Sequence, residues 1–258
     1  MNRRKFLNSA ATAGLAAGAP AAAAPAKNAI FELLYFRMRN GNQIQRTSDF
    51  LSKSLMPAWQ RAGAGPMGFF SAVIGEQSPF ALALISFPSL AAIGDMMEKM
   101  AADSEFQKAA DAYSSMTELS YMRLENSLLR AFDGWPALTA PKPPQQGAHI
   151  FELRTYESPN VKAGRRKIKM FNDAEAGIFK RLGMQPVFFG ETIVGRNLPN
   201  LTYMLTFDSL AAREKLWADF GADPEWRKLR AEPELADALI VSNISNTILR
   251  PLPFSPIK

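Results

Sequence analysis

The 258 residues, 47% hydrophobic and 21% charged, hold enough apolar material to core one globular body or two small ones, which excludes a disordered or fibrous chain. The formal charge of +6 includes Arg3, Arg4 and Lys5, and no acid precedes Glu32; removing those three leaves +3, too little to argue for a nucleic-acid partner. With no cysteine and a single histidine, His149, the chain cannot form disulfides, thiolate metal sites or a His-rich metal site, and a Ser-His-Asp triad could draw only on that residue.

The first segment reads as an address. Asn2-Arg3-Arg4-Lys5-Phe6-Leu7 is followed by a mildly apolar stretch, Ala10 to Ala19, and then by small residues ending Ala24-Pro25-Ala26. A basic start, an apolar middle and an A-x-A end make a signal peptide, and the apolar run is far short of the ~20 residues that span a bilayer. The Arg3-Arg4 pair resembles the twin-arginine signature, so residues 1–26 are expected to bring the chain to the twin-arginine export machinery and on to the periplasm or beyond. An ordinary secretory signal or a basic tail is the alternative. Cleavage after Ala26 fits best, with Ala23 the second choice. Such export carries folded cargo, which is compatible with a cofactor but names none.

The rest of the chain repeats itself. Ile30-Phe31-Glu32-Leu33 recurs as Ile150-Phe151-Glu152-Leu153, Ser89-Leu90-Ala91-Ala92 as Ser209-Leu210-Ala211-Ala212, and Asp103, Glu105 and Lys108 as Asp223, Glu225 and Lys228. All share one offset of 120 residues, the mark of a duplicated domain. Residues 27–134 form the first module and 148–258 the second. The proline-rich stretch 135–147 between them reads as a semi-rigid linker.

In chain order, Ile30 to Arg37 and Ile150 to Glu157 are β-branched, aromatic and partly alternating, hence strands. Apolar residues then recur at helical spacing: Ile44, Leu51, Leu55 and Trp59 in copy one, Ile168, Phe171, Ala174, Ile178 and Leu182 in copy two. Pro57 predicts a kink or a late helix start, and Gly183 a helix end. Strands follow near Met67 to Gly75 and Phe80 to Phe87, and near Gln185 to Gly195 and Leu201 to Phe207. Ser89 and Ser209 are placed to cap the next helices, and Asp103 and Asp223 to cap a further short turn. Last strands are expected near Tyr121 to Leu129 and Asn243 to Leu249. The fold class is therefore α+β: two tandem ferredoxin-like β-α-β-β-α-β modules whose open sheet faces can close on each other as a barrel.

The opening Phe151-Glu152-Leu153-Arg154-Thr155-Tyr156, together with the endings Leu128 to Pro136 and Ile248 to Pro256, resembles the NIPSNAP family. Copy one departs from it, with Leu34 where copy two has Arg154. The resemblance implies a dimeric α/β-barrel fold and no generally established reaction. The wider superfamily includes haem enzymes, cofactor-independent monooxygenases and non-enzymatic binders, among which fold analogy cannot choose.

Strand alternation puts Ile150, Glu152, Arg154 and Tyr156 on one face, and Phe151, Leu153 and Thr155 on the other, which suits packing under helices. Glu152, Arg154 and Tyr156 are thus expected inside the barrel, and Tyr121, Arg123 and Glu125 share a face in the same way. Such a cluster could hold a polar or anionic ligand or a proton-transferring carboxylate. A structural ion pair common to both copies, since Glu32 matches Glu152, is the plainer reading. His149, at a strand start beyond the linker, is expected at the surface. Met96, Met97 and Met100 read as core filler. Arg165-Arg166-Lys167 and Lys169 read as a solvated helix face, with binding to an anionic surface the lesser option. Gly63-Ala64-Gly65 reads as a helix stop rather than a phosphate loop. Three functions stay open: a binding protein with its pocket in the barrel, an oxidoreductase of the same class, and a structural homo-oligomer.

Overall fold

The computed structural model describes residues 28–115, 117–144 and 147–258; the expected signal peptide, with Arg3, Arg4 and the cleavage point after Ala26, lies outside them. Copy one runs β1 (Ile30–Arg37), α1 (Asn42–Phe50), α2 (Met56–Ala62), β2 (Met67–Ile74), β3 (Phe80–Phe87), α3 (Leu90–Ala102), α4 (Ser104–Ser114) and β4 (Arg123–Ala131). Copy two runs β5 (Ile150–Glu157), α5 (Val161–Met170), α6 (Ala176–Arg181), β6 (Gln185–Val194), β7 (Asn200–Phe207), α7 (Leu210–Ala222), α8 (Pro224–Arg230), α9 (Asp237–Ile240) and β8 (Asn243–Pro251).

The eight strands form a closed antiparallel barrel in the order β1-β3-β2-β8-β5-β7-β6-β4. Each copy contributes its own ferredoxin-like run, and two seams join them. At one seam β2 pairs with β8, at the other β4 with β6, each with a register shift. Closure leaves no sheet edge open, which is what two modules gain from pairing.

Local signals set the helix ends. Ser89 accepts a hydrogen bond from the Ala92 amide and Ser209 from the Ala212 amide, while Asp103 and Asp223 do the same for Phe106 and Trp226. Gly63 and Gly183 each take φ 88°, the left-handed turn that ends α2 and α6 at the same place in both copies. The Asp103 and Asp223 caps start whole helices, longer than the turns expected. Between α1 and α2 runs a π-helical turn, Leu51–Leu55, and Pro57 follows it without breaking the helix. The same turn recurs at Phe171–Glu175, where Gly177 stands in the proline's place, so the proline is not its cause. The methionine expectation divides: Met96 and Met100 are buried, and Met97 is exposed.

Three apolar layers result. One lies between α1–α4 and the copy-one sheet around Leu51, Trp59 and Phe69; its copy-two equivalent centres on Phe171, Phe179 and Tyr203. The third fills the barrel with Phe31, Phe70, Phe151, Phe188, Leu129, Met204 and Leu249. Each such side chain stabilises the fold by about 1.5–3 kcal/mol relative to exposure. Leu138 from the linker and Ile257 from the C-terminal segment pack onto that core. Ser255 fixes the segment, accepting from the Phe69 amide (2.8 Å) and donating to the Ile257 carbonyl (2.6 Å).

Candidate functional site

The barrel interior changes character along its axis. Reading up β1, the inward residues are Phe31, Leu33, Tyr35 and Arg37; up β5 they are Phe151, Leu153 and Thr155; down β4 from its start they are Arg123, Glu125, Ser127, Leu129 and Ala131. Strand β8 repeats the pattern with Leu249, Thr247, Ser245 and Asn243. Aromatic rings therefore fill one end, and the other end opens as a cavity of about 430 Å³ on a floor of Leu33 and Leu153, with Phe80 in its wall opposite Arg37. That volume falls within the range typical of small-molecule sites.

Glu125 is the charged centre of this cavity. Arg37 donates to its Oε2 from Nη2 (2.9 Å) and Nε (3.3 Å), while Arg196 and Arg123 stand 3.3 and 3.4 Å from Oε1. Burial opposes the ionisation of Glu125, but the Arg37 hydrogen bond and the three guanidinium charges outweigh it and hold the carboxyl below its ordinary range. Arg37 in turn lies over the rings of Tyr35 and Phe80, 4.5 and 4.8 Å from their centroids. Enclosure pushes the Tyr35 phenol up to about 12, despite the opposing pull of Arg37, so it serves as a neutral hydroxyl. Three guanidiniums thus share the Glu125 carboxylate; with Glu76 also in the lining, these five groups sum to one positive charge.

Of the residues expected to line the barrel, Glu125 does so and Arg123 stands at its rim. Glu152, Arg154 and Tyr156 do not. They point outward, under the copy-two helices, while Phe151 and Leu153 fill the barrel, so the expected faces are reversed. Tyr121 also belongs to the helix side, packing on Phe36 and Tyr113 ahead of β4.

The outward set is a buried polar network. Glu152 is fully buried and accepts from Arg213 Nη2 (2.6 Å) and Nε (3.0 Å), Trp217 Nε1 (2.8 Å) and Arg154 Nη1 (2.9 Å). Arg154 also donates to the Tyr156 hydroxyl (3.0 Å), which accepts from Tyr203 (3.1 Å). Deeper, Lys167 pairs with Glu175 at 3.2 Å, both only 1% exposed, within reach of the rings of Tyr156, Phe171 and Trp226. Burial raises the Glu175 carboxyl, and Lys167 offsets part of that rise. Lys167 therefore departs from the solvated face on which Arg165, Arg166 and Lys169 sit.

His149, expected at the surface, is 1% exposed. The strand start lies beneath the C-terminal segment, and Nδ1 stands 3.0 Å from the Lys258 main-chain oxygen. Among the described residues no three His, Asp or Glu side chains converge as a metal would require.

A family model matches residues 31–132 and again 151–256, and both matches are to NIPSNAP. The chain belongs to the NIPSNAP family. Among solved structures, a proposed monooxygenase from Fusobacterium nucleatum shares 8% identity, covering 88% of this chain and 94% of that one, with a TM-score of 0.58. A proposed monooxygenase from Lactobacillus acidophilus shares 11% identity over 86% and 93% of the two chains, with a TM-score of 0.56. A NIPSNAP family protein of unknown function from Agrobacterium tumefaciens shares 25% identity over 45% of this chain and 100% of that one, with a TM-score of 0.39. At such identities the first two show the barrel fold alone. Comparison with curated proteins finds no match.

In this NIPSNAP protein the cavity residues that alternation missed are Tyr35, Arg37, Thr155, Arg196, Asn200 and Thr202. Their signal was the graded sequence of β1, apolar at Phe31 and Leu33 and polar at Tyr35 and Arg37. Had Phe151 and Leu153 been assigned to the barrel, the same phase in copy one would have led to Arg37.

Proposed function

We propose that this NIPSNAP protein binds a small organic anion in the open end of its barrel. The observation that carries the reading is the convergence of Arg37, Arg123 and Arg196 on the single carboxylate of Glu125, above an apolar floor. A carboxylate-bearing ligand would balance the one remaining positive charge through charge-assisted hydrogen bonds, while its apolar body rests on Leu33 and Leu153 beside the Phe80 ring. Tyr35, Thr155, Thr202, Asn200 and Ser245 supply neutral hydroxyls and amides for orientation. Glu152, Arg154 and Tyr156 serve this site from behind, by fixing the wall between barrel and helices.

Native mass spectrometry of the protein purified from its own cells tests the reading. A small anionic molecule is expected on the wild type and absent from Ser245→Trp, whose indole fills the cavity mouth. A ligand retained by that variant would place binding elsewhere.

We also propose that residues 1–26 direct export through the twin-arginine machinery to the periplasm or beyond. Support comes from Arg3-Arg4 ahead of Phe6-Leu7, a weakly apolar middle and Ala24-Pro25-Ala26. Fractionation should find the full chain processed and outside the cytoplasm, and Arg3→Lys/Arg4→Lys retained inside. Export of that double variant would exclude the route.

A further inference from the structure

The strand ends around the cavity carry apolar side chains that reach solvent. Ile74 ends β2 and Val194 ends β6; Leu124 and Ile244 are the second residues of β4 and β8; Leu119 and Leu239 precede those strands, and all six are exposed. They form three pairs at the 120-residue offset, so the duplication sets them at matching places in the two halves of the rim. A groove of about 330 Å³ between α5 and the β6–β7 hairpin, lined by Val161, Ile168, Leu198 and Pro199, continues the apolar surface outward and shares Thr192 and Asn200 with the cavity.

Scattered exposed apolar residues are ordinary; a collar of them beside a cluster of cations is an interfacial surface, and here Arg37, Arg123, Arg196, Lys162 and Arg165 outnumber the neighbouring acids Glu76, Glu125 and Glu191. Arg123 and Arg196 stand in the rim on a carboxylate they share with Arg37. On α5, Arg166 pairs with Glu234 and Lys169 with Asp173, whereas Lys162 and Arg165 have no acidic partner among the described residues. We infer that the mouth of the barrel seats on an anionic lipid bilayer, its apolar rim entering the headgroup region and its cations resting on lipid phosphates. The contact is peripheral, since no helix among the described residues is long and apolar enough to cross a membrane.

Sedimentation with vesicles tests this, comparing phosphatidylcholine alone with phosphatidylcholine plus phosphatidylglycerol. The full chain is used, both unaltered and with Arg3, Arg4 and Lys5 changed to Gln so that the basic N-terminus does not contribute. The anionic vesicles should bind it, less at high salt. Ile74→Ser/Val194→Ser and Lys162→Gln/Arg165→Gln should each bind about tenfold or more weakly at an unchanged melting temperature. Absence of binding to the anionic vesicles, or equal binding by the apolar double variant, overturns the inference. So does a concentration-dependent dimer that the apolar variant dissociates, which would give the rim to a second copy of the chain.

Discussion

Glu32 and Glu152 stand at the same step of the same strand, 120 positions apart, and both point away from the barrel interior, yet only Glu152 meets cations. Where copy two has Arg154, Arg213 and Trp217, copy one has Leu34, Ile93 and Met97. Glu32 is left with a hydrogen bond from Asn126, and burial raises its carboxyl above the ordinary range. One copy has the carboxylate in an ion network, and the other has the carboxylate without those partners.

Removing Glu152 should therefore be costly. Glu152→Gln leaves the Arg154 and Arg213 guanidiniums without their shared anion, and a loss of about 3 kcal/mol is expected in chemical denaturation. A loss near zero would show that the network contributes nothing to stability.

Glu32 should show the opposite pH behaviour to Glu125, whose carboxyl is held below its ordinary range. Its raised carboxyl binds a proton more readily folded than unfolded, so its contribution is fully present below the unfolded value and is lost as pH rises through the folded one. Glu32→Gln should remove part of the fall in melting temperature between acid and neutral pH. The slope due to Glu175, which is raised for the same reason, should persist. An unchanged pH profile in Glu32→Gln would refute this.

The Lys167–Glu175 pair offers a cleaner comparison, because copy one has Thr47 and Leu55 at those places. Lys167→Met alone strands a buried carboxyl and should cost about 3–5 kcal/mol. Adding Glu175→Leu should recover most of that loss, and a double-mutant cycle measures the coupling. Additive losses would contradict the pairing.

At the β4–β6 seam, a Cβ on Gly190 would meet the Leu129 Cβ at 2.8 Å. Gly190→Ala should cost about 1–3 kcal/mol by overpacking the closure of the barrel. A stability equal to wild type would show that the seam is looser than described.

The repeat made most of the fold legible. The strands Ile30–Arg37, Phe80–Phe87 and Ile150–Glu157 lie where alternation and composition put them, and the serine and aspartate caps bond as their spacing implies. The facing of β5 was not legible, for a physical reason. A barrel strand under helices is buried on both sides, so apolar Phe151 and Leu153 and polar Glu152 and Arg154 are all enclosed, and polarity no longer marks the solvent side. Lys167 was misread because a helix of basic residues looks uniformly solvated until Glu175, eight residues further on at the end of the π-helical turn, reaches back to it. The cavity residue Arg196 sits in a hairpin where no period applies.

Calorimetric titration with benzoate and with benzamide tests the binding reading most directly. The cavity is expected to take one benzoate per chain, to bind benzamide far more weakly, and to lose about tenfold or more of its benzoate affinity in Arg196→Gln. Benzoate that fails to bind, or that binds equally well to Ser245→Trp, would contradict an anion site in the open end of the barrel.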